Sequence, residues 1–392
     1  MNYYLMHKNH KVLELNIDEA TAVILEVGSI DVIDRIPVGI SCTDRKVNRE
    51  DLNDWWQGRS IPASRQNLQR ALDILGVTSP SKLLIQSLGL SLSDQYWINP
   101  IHNSLSWFEI NFFEHSFSED IGSAFFENVD SVSGTDKKQL LNLISPDNTS
   151  DGWLKKRWKI IDNRRYLIKA GSDPYHQQPI NEMMASLLMK RLEVPYVEYK
   201  VIYEAQTPYS ICENFIQKDT ELVTAFYIHN TRRIKNVSDL YSHYVECCNE
   251  LGIPDVKQQM NMMLTIDYLI GNYDRHMNNF GAIRDVNTLQ WISCAPLYDN
   301  GSSFWCDTAT SRINPETPVK SQPFLSTHIE QLRLVSDFDW LDQSMLIGLE
   351  DEFRDLLIHS HYIDEQRRDV LCYALKEKVQ GFIRYINGGL HD

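Results

Sequence analysis

Residues 267–302 read DYLIGNYDRHMNNFGAIRDVNTLQWISCAPLYDNGS, and the fold turns on how that stretch is understood. It begins as the apolar end of a helix, breaks at Gly271, and then sets Asp274, His276 and Asn279 in a short polar run. Segments 281–286 and 290–298 follow as a β-hairpin around Asn287, and Asp299 stands at its end with Gly301 close behind. A carboxylate, a carboxamide and a second carboxylate, all at loop positions, form a set suited to phosphoryl transfer. One carboxylate accepts a hydroxyl proton, and an oxygen pair holds Mg²⁺ against phosphates. Clusters of Asp, Asn and Gly also mark ordinary turns. The choice therefore rests on whether the rest of the chain supplies matching parts.

The whole chain bounds the answer. Its 392 residues allow two or three domains with real cores, and 38 basic against 53 acidic residues give a formal charge of −15. Gripping nucleic acid by its phosphates takes a basic face, so no direct nucleic-acid contact is expected. The seven cysteines include no C-x-x-C pair, which points to reduced thiols rather than a zinc site or a disulfide framework. The first twenty residues lack a secretory pattern and no apolar run reaches membrane-spanning length, so a cytoplasmic location without membrane contact is expected.

Residues 1–110 read as a separate α+β module, with strands at 11–15 and 22–27 and helices at 49–56 and 64–75. Ser64 is the expected cap of the second helix and Gly76 its stop, and Ser79-Pro80 opens another. Trp55, Trp56 and Trp97 are expected in packing rather than in a ligand cage. Across 111–215 the pattern changes. Segments 158–161 and 165–170 form a hairpin on the Asp162-Asn163 turn, placing Lys169 in an apolar strand, either as an edge charge or as an ammonium aimed into a cleft. A helix over 179–192 follows, with Glu182 in its first turn, where an acid suits the helix dipole or can pair with Lys169. Strands at 195–204 and 209–215 complete the set.

Strand, lysine-bearing strand, helix, strand, strand is the order of a protein-kinase small lobe. Asp274 and Asn279 have the spacing of the base and the metal-binding Asn in a kinase catalytic loop. Residues 212–215 would then be the hinge that reads adenine through backbone groups. From 216 to 392 the chain is mostly helical, with helices at 258–270, 339–358 and 364–386 and a polar loop over 301–326 in the place of an activation segment. The predicted fold is α+β: a protein-kinase-like bilobal fold, with a β-rich small lobe and a helical large lobe, behind an N-terminal α+β module.

Residues 130–385 resemble the HipA-type Ser/Thr protein kinases, the toxin kinases of bacterial toxin–antitoxin systems and their solitary relatives. Ser131-Val-Ser133-Gly134-x-x-x-Lys138 resembles that family's phosphate loop, with Asp136-Lys137 where Gln-Glu is usual. Asn181-Glu182, Leu187-Leu188 and Val194-Pro195 match around the helix, and Asp274-Arg-His276-x-x-Asn279 matches the D-x-H-x-x-N signature, shared in D-R-H-x-x-N form with phosphatidylinositol kinases. The first hundred residues resemble the family's N-terminal domain only loosely. The resemblance implies ATP and Mg as cofactors, with a protein as substrate and an antitoxin protein as a second partner. Asp274 would act as the base, with His276 supporting its loop. Asn279 and Asp299 would hold Mg²⁺. Lys169 would contact the phosphates with Glu182 as its partner, Ser133 and Gly134 would lie in the nucleotide-binding loop, and Glu213 and Phe215 would flank the adenine. Ser131 and Ser133 are the candidates for autophosphorylation; a phosphate there would repel those of ATP. Two other classes remain at this stage: a small-molecule or lipid kinase, and a non-catalytic pseudokinase that acts as a binding module.

Overall fold

The computed structural model describes all residues except 63, 66–67, 104, 120–144, 150–153, 233–238 and 389–392. Ser131, Ser133, Gly134 and Lys138 therefore lie outside the described residues.

The N-terminal part is built on an antiparallel sheet of β1 (Asn2–His7), β2 (His10–Asp18), β3 (Val23–Ile30) and β6 (Tyr96–Pro100), in the order β3-β2-β1-β6. Between β3 and β6 come a two-residue pair, β4 (Cys42–Thr43) and β5 (Lys46–Val47), and the helices Arg49–Gln57, Leu68–Leu75 and Pro80–Gln86. Asn48 caps the first of these through the Glu50 and Asp51 amides, and Ser79 caps the third, with Pro80 at its opening position. The Leu68–Leu75 helix starts four residues beyond Ser64, so Ser64 is not its cap. Trp56 and Trp97 are fully buried, as packing residues.

The second sheet is β7 (Lys156–Ile161), β8 (Arg164–Ala170), β9 (Tyr199–Glu204) and β10 (Thr207–Glu213), all antiparallel, in the order β7-β8-β10-β9. Asp162 and Asn163 both take positive φ, the mirror-image turn that suits the right-handed twist of a hairpin. The Gln178–Arg191 helix packs against β9 and β10. Ile180, Met184 and Leu188, spaced by four, form part of its buried face, and Lys190 and Arg191 close it where cations suit the dipole.

A third sheet, β11 (Thr220–Thr224), β12 (Gly281–Asp285) and β13 (Trp291–Cys294), flanks the helical part. Gly281 is needed where β11 crosses β12: a Cβ there would lie 2.2 Å from the Val223 carbonyl oxygen. The core of the helical part is the Val256–Ile270 helix, buried almost all round, with the Leu240–Leu251 and Glu365–Ile386 helices against it. Asp364 caps the last of these through the Arg367 amide. The helix expected over 339–358 is shorter. A turn capped by Asp342 precedes Gly348, whose φ of 80° breaks the chain before the Leu349–Leu357 helix begins.

The N-terminal part is joined to β11 and β12 through buried charge. His7 Nε2 lies 2.9 Å from Glu221 Oε2, Arg284 pairs with the other oxygen of the same carboxylate, and Arg35 Nη1 donates to the Val286 carbonyl at 2.8 Å. Burial opposes the charge on Glu221, but His7 and Arg284 outweigh it and hold the carboxyl at about 2. At Gly39, whose φ is 85°, an added Cβ would sit 2.4 Å from the Tyr227 carbonyl oxygen, so the contact between the two parts is close enough to exclude a side chain.

Candidate active site

The site is assembled where the second sheet faces the end of the Val256–Ile270 helix. Side chains alternate along β8, so Ile168 and Ala170 turn into the core while Leu167 and Lys169 line a cavity of about 370 Å³. That cavity also takes in Glu213, Phe215, Asp274, His276, Asn279 and Asp299. Lys169 and Asp299, 130 residues apart in sequence, thus share one cleft.

Lys169 is the link between its walls. Its Nζ lies 3.1 Å from Glu182 Oε1 and 2.6 Å from Asp299 Oδ1. Burial would lower the lysine's pKa, but the two carboxylates raise it well above the ordinary value, so the ammonium is fixed. Partial burial opposes charge on Asp299 too, and the Lys169 ammonium overcomes it, holding that carboxyl far below the usual range. Glu182 lies the other way: desolvation pushes its pKa up, and Asp299 adds to the effect while Lys169 counters it. Glu182 is only 2% exposed and sits beyond the first turn of its helix, so it is a buried pairing residue and not a dipole-facing acid.

The same helix fixes the turn after Asp299. Glu182 Oε2 accepts from the Asn300 amide at 2.8 Å, and Asn181 Nδ2 donates to the carbonyls of Gly301 and Ser303 at 2.9 and 2.7 Å. Asp299 takes a φ of 57°, a left-handed conformation uncommon for a residue with a side chain, and its side chain stays 42% exposed to the cleft.

The catalytic-loop candidates are held from beneath by Arg275, whose role the sequence did not reveal. Its guanidinium is fully buried and grips Asp267 with two nitrogens, at 2.9 and 3.0 Å. The same group donates to the carbonyls of Asn279 at 2.9 Å and Tyr298 at 2.6 Å and to Asn300 Oδ1 at 2.5 Å. One side chain therefore ties the helix end, the polar loop and the Asp299 turn together. Gly271 ends the helix in the left-handed conformation, and Asn272 Oδ1 accepts from the Asp274 amide at 3.1 Å.

Asp274 has its pKa raised, first by desolvation and further by Asp299 across the cleft, against the lowering effects of His276 and Arg275. His276 Nδ1 accepts from the Asn278 amide at 3.3 Å and so braces the loop. Asn279 Nδ2 donates to the Asp274 carbonyl at 3.0 Å, while among the described residues no hydrogen bond reaches its Oδ1. An amide with its nitrogen occupied and its oxygen open suits an oxygen-seeking cation. Among the described residues no cluster of three or more His, Cys, Asp or Glu is set to hold a metal ion. Asn279 and Asp299 offer a partial oxygen set, which fits Mg²⁺, an ion that keeps waters and completes its shell with phosphate oxygens.

Glu213, which also lines the cavity, directs its carboxylate to Arg164 at 3.1 Å. The ring of Phe215 lies 5.4 Å from that of Tyr298, next to Asp299. The N-terminal part reaches this edge as well: Asn214 Nδ2 donates to the Leu92 carbonyl, and Arg59, Trp55 and Val38 line the same cavity. Nothing in the sequence indicated that the first module contributes to the cleft.

These elements define a kinase-like α+β fold with its cleft between a sheet and a helical core. Residues 131–352 match the HipA-like C-terminal domain family, which covers more than half of the chain; the protein belongs to that family. Among solved structures, the chain is similar to HipA of Shewanella oneidensis MR-1, solved with HipB and its operator DNA, at 11% identity and a TM-score of 0.54, with 99% of each chain covered. It also aligns with the proinflammatory kinase CtkA of Helicobacter pylori at 18% identity and a TM-score of 0.47, over 60% of this chain and 95% of that one. No curated protein matches the sequence.

Proposed function

We propose that the protein is an ATP- and Mg²⁺-dependent Ser/Thr protein kinase of HipA type. The observation that carries this is the Lys169 ammonium held between Glu182 and Asp299 in the cleft that also contains Asp274 and Asn279. Such a constellation positions phosphates and neutralises charge, which is most of what phosphoryl transfer asks of a protein.

Bound Mg-ATP would supply the γ-phosphoryl group and the electrophilic phosphorus. Lys169 would bind phosphate oxygens from the β8 side. Asn279 Oδ1 and the exposed Asp299 carboxylate would hold the cation. The residues 213–215 would receive the adenine along the hinge. Asp274 would accept the proton of the acceptor hydroxyl as its oxygen bonds to phosphorus and the bond to ADP breaks. Desolvation, with Asp299 adding to it, raises its pKa, which makes it a better proton acceptor than an exposed aspartate. Glu182 would keep Lys169 aimed into the cleft.

The acceptor is proposed to be a protein serine or threonine, with Ser131 and Ser133 as sites of self-modification. The family and the HipB-bound relative support an antitoxin partner. Among the described residues no helix is long and apolar enough to cross a membrane, and a cytoplasmic setting is part of the same proposal. Intact-mass measurement after incubation with Mg-ATP tests it. Wild type should gain phosphate, Asp274→Ala should gain none, and loss of the gain in Ser131→Ala or Ser133→Ala would name the serine. A folded wild-type protein that binds no nucleotide and gains no mass would overturn the proposal.

A further inference from the structure

The loop over 301–326 brings one side chain to Asp274. Gln322 Nε2 donates to Asp274 Oδ1 at 3.2 Å and approaches the Tyr273 carbonyl at 3.5 Å. This contact is built rather than incidental. The loop closes on itself through a bridge between Lys320 and Thr327 and the Ser321 amide bonded to the Ser326 carbonyl at 2.9 Å. Gln331, 1% exposed on the His328–Leu332 helix, donates to the Gln322 carbonyl at 2.9 Å and to Ser321 Oγ at 2.7 Å and accepts from the Phe324 amide at 3.2 Å. The Phe324 ring is buried edge-on against Tyr241 and Phe280, and Phe280 directly follows Asn279. Thr327 and Glu330 form a reciprocal cap that anchors the helix carrying Gln331.

Asp274 Oδ1 is thus engaged, while among the described residues no hydrogen bond reaches Oδ2. We propose that Gln322 is a positioning residue for phosphoryl transfer: its amide locks one oxygen of Asp274 and leaves the other to receive the acceptor hydroxyl. The inference rests on Asp274 acting as the base. A carboxylate free to rotate would present its lone pairs to the acceptor for only part of the time, and an engaged one presents them continuously. The donor also favours the ionised carboxylate, the form a base requires. The titratable and charged groups facing Asp274 are His276 and Arg275 on its own loop and Asp299 across the cleft, and changing Gln322 replaces none of them.

Gln322→Met keeps the length and removes the donor; Gln322→Glu places a like charge beside the base. The probe is ADP formed from Mg-ATP, which counts transfer to any acceptor, water included, measured from pH 5 to 9 with the melting temperature of each variant recorded alongside. Base catalysis is worth roughly 10²–10⁴-fold and Asp274 itself remains, so Gln322→Met should lose roughly 10- to 100-fold in the maximal rate. The half-saturating ATP concentration should stay unchanged, and the acid limb should move to higher pH, further still in Gln322→Glu. A merely structural role would lower melting temperature and leave the limb in place. Wild-type turnover with a Gln322→Met rate within twofold and an unshifted limb overturns this inference alone. Absence of turnover in the wild type overturns it together with the kinase proposal.

Discussion

Arg275 and Asp267 form the pair on which the geometry of the cleft depends, and a mutant cycle across them should show strong coupling. Both side chains are at most 1% exposed, and the guanidinium reaches three further oxygens, on Asn279, Tyr298 and Asn300. Replacing Arg275 by Met strands the Asp267 carboxylate in the core with Asn272 Nδ2, at 3.0 Å, as its remaining donor. Breaking a buried pair on one side costs about 3–5 kcal/mol, and Arg275→Met should fall in that range. Asp267→Asn leaves the arginine three acceptors and should cost less, about 2–3 kcal/mol, in line with the loss of charge-assisted hydrogen bonds. The double variant buries no unpaired charge, so its cost should fall short of the sum by about 1–3 kcal/mol. Urea unfolding followed by fluorescence measures each corner of the cycle, and an unchanged denaturant slope would show that the compactness of the end states has not altered. Additivity within about 0.5 kcal/mol would refute the reasoning, because it would mean the two charges do not interact in the folded chain.

The remaining expectations follow from other parts of the structure. The Glu221 carboxyl is depressed from 4.5 to about 2, so its contribution is present in full above pH 4.5 and is lost as pH falls from there toward 2; the shift corresponds to about 3 kcal/mol. Acid titration of stability should show that slope in wild type and a flatter one in Glu221→Gln. Lys169→Met leaves Glu182 and Asp299 without their shared cation and should weaken Mg-ATP binding by at least roughly tenfold in a calorimetric titration, since a charge-assisted contact is worth roughly 1.5–3 kcal/mol. Unchanged affinity would remove Lys169 from the phosphate site. Gly281→Ala forces β11 away from β12 and should cost about 1–3 kcal/mol of stability, with unfolding as the readout; a neutral effect would show that β11 is not held where the structure has it.

Local chemistry made much of this architecture legible. The Asp162-Asn163 turn, the Ser79-Pro80 helix start and the Gly271 helix end each depend on neighbours in the chain, and each stands as the sequence implied. Strand β11 was not legible for a physical reason. Its buried positions are Glu221 and Val223, and a buried glutamate paired by Arg284 and His7 looks, in a sequence, like a surface charge. Strand β6 is buried at all five positions and ends on proline, so it shows no alternation. Within the cleft, the titratable residues of the Asp274 loop could be named from their spacing. Arg275 could not be told from an ordinary surface arginine, because its partners come from a helix, a strand end and a turn. Gln322 sits in a polar loop punctuated by proline, and its contact with Asp274 exists only after the Phe324 ring and Gln331 have fixed that loop. The N-terminal contribution to the cleft likewise depends on the His7–Glu221–Arg284 seam, which spans more than two hundred residues.

Transfer of labelled γ-phosphate from Mg-ATP, compared between wild type and Asp299→Ala, tests the central claim most directly. The Asp299 side chain is open to the cleft rather than packed in the core, so the alanine variant should remain folded, as far-ultraviolet circular dichroism can confirm. The expected result is incorporation of label by wild type and none above background by Asp299→Ala. Equal incorporation by both proteins, or none by a folded wild type with Mg-ATP and a serine-bearing acceptor present, would contradict the account.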